Sequence, residues 1–182
     1  MLEQLAALAQ PALDIPYIRR TRRNHGLEHA AVHVLSRRLK NAQMLGRSSD
    51  AGFVLYVDAP QEQVEAGVRE ALRRMQAGEH SLALHPGCGT SRLTSGLATA
   101  LAGILSLSGA SRRDAIGRLP FIMLLMMLAM LAAEPVGIAL QRHFTTEGNP
   151  GDLRILSISQ KPARMPLTLQ PTTMYTVVTH SS

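Results

Sequence analysis

The chain has 182 residues and a mass of 19.7 kDa, room for about one ordinary domain, and 46% of its residues are hydrophobic; a core can be built, a large multidomain enzyme cannot. Aromatic residues make up 3% and Trp is absent, while Met reaches nine, so the apolar material is mostly Leu, Ala, Met, Ile and Val. Nineteen Lys and Arg against thirteen Asp and Glu give a formal net charge of +6, which favours anionic partners, and a single cysteine, Cys88, excludes an internal disulfide framework and fits a reducing compartment or a metal ligand.

The opening residues Met1-Leu2-Glu3-Gln4 lack the basic start of a secretory signal, so export by that route is not expected. Residues 2–18, with Leu2, Leu5, Leu8, Leu13, Ile15 and Ile18, can lie along a membrane interface. Arg19, Arg20, Arg22 and Arg23 put four arginines in five positions. Beside a membrane such a cluster meets anionic headgroups. Without aromatic interleaving or a nucleic-acid module, nucleic acid is not the expected partner. Residues 1–23 are taken as this basic amphipathic segment.

Residues 24–92 read as a small α/β unit. Asn24 is a fair N-cap, and Ala30, Ala31, Val34, Leu35 and Leu39 continue a helical apolar pattern, which predicts a helix from 25 to about 40. Gly52-Phe-Val-Leu-Tyr-Val-Asp58 has the composition and bounding turns of a strand. Over Gln61 to Ala77, Val64, Val68, Ala71, Leu72 and Met75 recur at helical spacing, with acidic residues early, Arg73 and Arg74 late, and Gly78 as a stop. Ser81 to His85 reads as a second short strand.

From Leu93 to Ala110 there is no charged residue, and from Leu119 to Gln141 only Glu134. As helices these runs would be about 27 Å and about 34 Å long, bracketing the roughly 30 Å bilayer core. The second is apolar on every face. The first carries small residues that suit close helix contact in lipid. The connector 111–118 is short, which predicts an antiparallel transmembrane hairpin over 93–141, with the segments before and after it on one side of the membrane. Arginines at both ends leave the positive-inside count near a tie. With no basic signal start and a free cysteine, the soluble part is expected on the cytoplasmic side. A third strand is expected at Leu153 to Ser159, within a return segment 142–159, and the proline-bearing remainder, 160–182, as an extended or disordered tail. The expected fold class is an α+β membrane protein: about three strands and two to three helices, plus the two-helix hairpin.

The most informative stretch is Asn24-His-Gly-Leu-Glu-His29. His25 and His29 are four apart on one helical face, a spacing that lets two imidazoles grip one metal ion, and Glu28 lies beside them, able to take a proton from a metal-bound water. The order H-x-x-E-H is that of inverted zinc peptidases. His33 lies about 12 Å of rise from His25, too far to share that ion. Two histidines need a third ligand. His85-Pro-Gly-Cys-Gly-Thr-Ser91 offers the thiolate of Cys88 or the imidazole of His85; Glu134, His143 and Glu147 are more remote donors.

These two motifs together resemble the paired H-G-x-E-H and H-P-x-C-G-T-S signature of the YqhQ-like bacterial membrane proteins. The chain as a whole, including Gln141 to Arg154, is similar to an uncharacterised family of short membrane proteins of cyanobacteria and filamentous phototrophs. The resemblance implies that His25, Glu28, His29, His85 and Cys88 belong to one site in a protein integral to a bacterial inner membrane. The expectation for function is a zinc-dependent, peptidase-like hydrolase with Glu28 as general base. The alternative is a non-enzymatic assembly or regulatory factor, acting on an unknown protein partner, with a structural His/Cys site closed by four ligands.

Overall fold

The computed structural model describes residues 2–109, 111–166 and 168–182; Met1, Ala110 at the end of the first uncharged run, and Leu167 in the expected tail lie outside the described residues. The chain divides into two units, one made of residues 1–85 and 142–182 and the other of residues 86–141.

The first unit opens with helices α1 (Leu2–Leu13) and α2 (Pro16–Arg38). Pro16 sits in the first turn, where its missing N–H costs nothing. The helix expected to begin at Asn24 therefore begins at Pro16, and Asn24 is no cap. It is a buried interior residue whose amide donates to the carbonyls of Ser49 and Asp50 at 2.9 and 3.2 Å and accepts from the Thr179 hydroxyl at 2.6 Å.

Strands β1 (Leu45–Ser49) and β2 (Gly52–Val57) form a tight hairpin. Gly52 takes φ +141, and a Cβ there would meet the Val177 carbonyl at 2.0 Å, so this turn needs glycine. Helix α3 (Gln61–Gln76) follows, with Val64, Val68, Ala71, Leu72 and Met75 buried as its periodicity predicts. Gly67 brings it close to α2: a Cβ would stand 2.5 Å from a Leu35 methyl.

The strand expected at Ser81–His85 is instead a 3-10 turn, His80–Ala83. Leu82 and Ala83 are buried there, but the carbonyls of Ala83 and Leu84 turn toward histidines on α2. A segment whose acceptors are taken by side chains cannot join a ladder.

The last two strands, β3 (Arg154–Arg164) and β4 (Pro171–His180), complete a four-stranded antiparallel sheet in the order β1-β2-β4-β3. Residues 160–182, for which a tail was expected, thus carry the end of β3 and an interior strand. The prolines are compatible because Pro162 lies on an edge strand, Pro166 in the connecting turn and Pro171 at a strand's first residue. Tyr175 and Val177 face the helices beside Phe53, Leu55 and Val57, and the Tyr175 hydroxyl donates to the Ala59 carbonyl at 2.6 Å. Each fully buried aliphatic or aromatic side chain in this core contributes about 1.5–3 kcal/mol.

The second unit holds α4 (Gly89–Leu107), α5 (Arg112–Gly117) and α6 (Leu119–Leu140). Ser111 caps α5, accepting from the Asp114 N–H at 3.3 Å. Helices α4 and α6 run side by side: a Cβ on Gly137 would stand 2.8 Å from Ser91 Cα, and one on Gly103 would touch the Met126 sulfur at 3.4 Å. Gln141 donates to the Ser91 hydroxyl at 2.6 Å. A π turn, Gln141–Thr145, extends α6. The resulting helix, Leu119–Thr145, is long and apolar enough to cross a membrane, and only 17% of its most apolar window is buried. Among the described residues it is the one helix to meet that standard, so the structure supports one candidate span where the sequence suggests two.

Candidate metal centre

Helix α2 presents different chemistry on two faces. Asn24 and Glu28, one turn apart, face the β1–β2 hairpin. Glu28 is 6% exposed, accepts from the Ser48 hydroxyl at 2.5 Å, and lies against Gly46, where a Cβ would come within 2.1 Å of its Oε1. The carboxylate is thereby held in one position by β1.

His25, His29 and His33 form the other face. The Nδ1 of His25 lies 2.8 Å from the carbonyl oxygen of Thr145, and the Nδ1 of His29 lies 2.7 Å from that of Ala83. A carbonyl only accepts, so each Nδ1 carries the proton, and in the neutral ring Nε2 holds the lone pair. This is how metal-ligating histidines are held: one nitrogen donates to a fixed acceptor, which orients the other. His33 uses the opposite nitrogen, Nε2 donating to the Leu84 carbonyl at 2.8 Å.

The three acceptors come from irregular backbone, which regular elements would have kept for their own ladders. Ala83 and Leu84 end the 3-10 turn; Thr145 ends the π turn, a geometry frequent at functional sites. Gly26 admits this packing, because a Cβ there would stand 2.3 Å from the Glu147 carbonyl and 3.3 Å from Ala83 Cβ. The glycine of the His-Gly-Leu-Glu-His motif is thus a contact requirement.

The rings of His25 and His29 meet edge to face with centroids 4.4 Å apart, and His85 lies 5.9 Å from His29 and 4.9 Å from His33. His25 and His29 stand on the first unit and Cys88 begins the second; two imidazoles and a thiol are groups that could hold a metal ion. His25, His29 and Cys88 were all marked by the sequence; His85 lies near His29 and His33 with its ring tilted to both, and Glu28 is held on β1. Of the remoter donors, Glu147 is paired with Arg22 at 3.5 Å, while His143 gives its backbone carbonyl to the same arginine at 3.4 Å.

Three of the four clustered arginines form ion pairs inside the unit. Arg20 pairs with Asp50 at 3.7 Å, Arg22 with Glu147, and Arg23 with Asp152 at 2.8 Å. Arg22 is 7% exposed and also donates to the Thr146 carbonyl at 3.3 Å, which ties α2 to the segment carrying Thr145. Asp152 also receives the Ser182 N–H and hydroxyl, and these bonds, with Arg23 nearby, hold its carboxyl below the ordinary range. Sequence reasoning missed Ala83, Leu84, Thr145, Ser48 and Gly46; the first three act through backbone oxygen, which no side-chain pattern reports.

The chain is 31% identical over 139 residues to an uncharacterized protein of the cyanobacterium Picosynechococcus sp., a match that covers 69% of this chain and 65% of the relative's length. No solved structure matches. Residues 20–158, which include both histidine motifs and all of α4 to α6, match a domain of unknown function, DUF6391, and the chain belongs to that family.

Proposed function

We propose that this protein is a membrane-embedded metalloprotein in which His25, His29 and Cys88 bind zinc and Glu28 serves as general base, making it a metal-dependent hydrolase acting on peptide bonds. The observation that carries the reading is the pair of Nδ1 bonds from His25 and His29 to backbone carbonyls, which present two Nε2 lone pairs from successive turns of one helix. The chemistry of Cys88, a thiol in the second sequence motif, supports it as the third ligand. Cys88 also stands at the N-cap of α4, where the helix dipole favours an anion. Two imidazoles and a thiolate suit zinc, and three protein ligands leave the fourth position of a tetrahedral ion to water, the arrangement of catalytic rather than structural sites. Glu28 would take the proton from that water, with Ser48 fixing its carboxylate. The exposed apolar surface of α6 supports insertion in lipid, with α4 as its partner span in a hairpin. In this reading the protein is integral to a bacterial inner membrane, and the free Cys88 supports a cytoplasmic soluble part.

A second reading has its own observation. The His85 ring lies 5.9 Å from that of His29. If its imidazole is the fourth ligand, the site is closed and the protein is a non-enzymatic assembly or regulatory factor.

One set of measurements tests both. Elemental analysis of the full chain in detergent is expected to give about one zinc per chain, lost in His25→Ala and Cys88→Ala. Cobalt replaces zinc, and an added small anion should shift the cobalt absorption if a position is open; an unchanged spectrum favours the closed site. Glu28→Gln should keep the metal and abolish cleavage of a fluorogenic peptide library. Absence of metal after reconstitution would overturn the proposal.

A further inference from the structure

The second unit contains a cavity of about 610 Å³ between α4 and α6, with Arg92 and Ser95 on one helix and Met126, Met130 and Glu134 on the other. Its volume is that of a small-molecule site, typically about 300–1,000 Å³. Its chemistry is graded along the helices. Ser91 lies level with Gly137, and Gly103 with Met126, so the two helices run antiparallel in a fixed register. In that register Arg92 stands at one end of the groove. Ser95 and Glu134 come about one turn further in. Gly96, Thr99 and Ala100 then face Met130 and Met126 along the apolar remainder, for a total of about 15 Å.

Neither Arg92 nor Glu134 has an ion pair or side-chain hydrogen bond among the described residues, although both line the same cavity. Charged groups within or beside a membrane span ordinarily mark a ligand or pathway. A guanidinium at the mouth, polar groups one turn deeper and a thioether-lined apolar slot beyond them reproduce, in order, the needs of a phosphate, a glycerol backbone and an acyl chain.

The geometry points to this groove as a binding site for one phospholipid molecule of the surrounding bilayer, its phosphate on Arg92, its glycerol region at Ser95 and Glu134, and an acyl chain along Gly96, Ala100, Met126 and Met130. The inference rests on the membrane reading above. It is independent of the metal.

Gly96 gives a direct test, since a Cβ there meets nothing within 4 Å and a larger side chain enters the groove without a clash in the protein. The full chain is purified in detergent, washed, and titrated with phosphatidylglycerol and with diacylglycerol, retention being read by native mass spectrometry. Wild type is expected to keep about one phospholipid per chain and to prefer it at least tenfold over diacylglycerol. Gly96→Leu should lose both lipids, and Arg92→Gln should lose the preference while still holding diacylglycerol. No retained lipid in wild type, an unchanged Gly96→Leu, or cross-linking of two chains through a cysteine placed at Ala100 would overturn the proposal. Extraction of each variant from membranes at alkaline pH is scored separately. A protein that washes off fails the membrane reading; one that stays and binds no lipid fails this one.

Discussion

The Nδ1 of His29 donates to the carbonyl oxygen of Ala83 at 2.7 Å. That bond links a helix to a 3-10 turn, and it sets which nitrogen of His29 faces outward. The same device at His25 uses Thr145, from the far end of the chain. The geometry of the candidate centre is therefore decided by backbone oxygens that flank it.

Removing a ligand and removing a bystander should give different results. His29→Ala is expected to abolish metal binding. His33→Ala should leave metal content unchanged, since His33 presents the other nitrogen to Leu84 and lies outside the ligand group. Elemental analysis of the two variants side by side checks this; loss of metal in both would mean that His33 is a ligand.

Gly46→Ala separates the base from the metal. The new methyl would enter the space of the Glu28 carboxylate, 2.1 Å from Oε1, so the side chain must swing aside while the histidines stay put. Metal content should be retained and peptide cleavage fall by about 10²-fold, the usual cost of misplacing a catalytic group by about 1 Å. Ser48→Ala should act in the same direction with a smaller loss. Unchanged turnover in both variants would remove Glu28 from the mechanism.

Asn24→Leu should be costly for the fold alone. Its amide makes three bonds, to Ser49, Asp50 and Thr179, and leucine leaves buried partners unsatisfied, at a cost of about 3 kcal/mol. Thr179→Val removes one of the three and should cost about 1 kcal/mol. Guanidinium unfolding followed by circular dichroism measures both; equal losses would show that the Ser49 and Asp50 bonds contribute little.

Stability should also carry an acid dependence from Asp152. Hydrogen bonds from Ser182, and then the charge of Arg23, hold its carboxyl below the ordinary value, so the folded state binds that proton less readily than the unfolded chain. The contribution is present above the unfolded carboxylate value of about 4 and is lost as pH falls through the lower folded value. Asp152→Asn should therefore melt below wild type at pH 7, and the two should converge in strong acid. A difference in melting temperature that persists unchanged at the lowest pH would assign the effect to packing.

Local sequence carried a definite part of this protein. The strand Gly52–Val57 and the helix Gln61–Gln76 were legible because each has its own period and stop signals, and the apolar run from Leu119 because twenty-odd residues with a single charge have few other uses. His25, His29 and Cys88 were legible as metal-ligand candidates because ligand chemistry is restricted to few side chains and one helical turn brings two of them together.

Tertiary structure decided the rest. Ser81–His85 has the composition of a strand, yet its carbonyls are claimed by histidines more than fifty residues earlier in the chain. Residues 171–180 look like a tail until β2 and β3 pair with them on either side, and Asn24 looks like a cap until the hairpin and Thr179 surround it. In each case a polar backbone group or buried amide takes a partner distant in sequence. Hydrogen-bond satisfaction is a property of the packed chain, and local propensity yields to it.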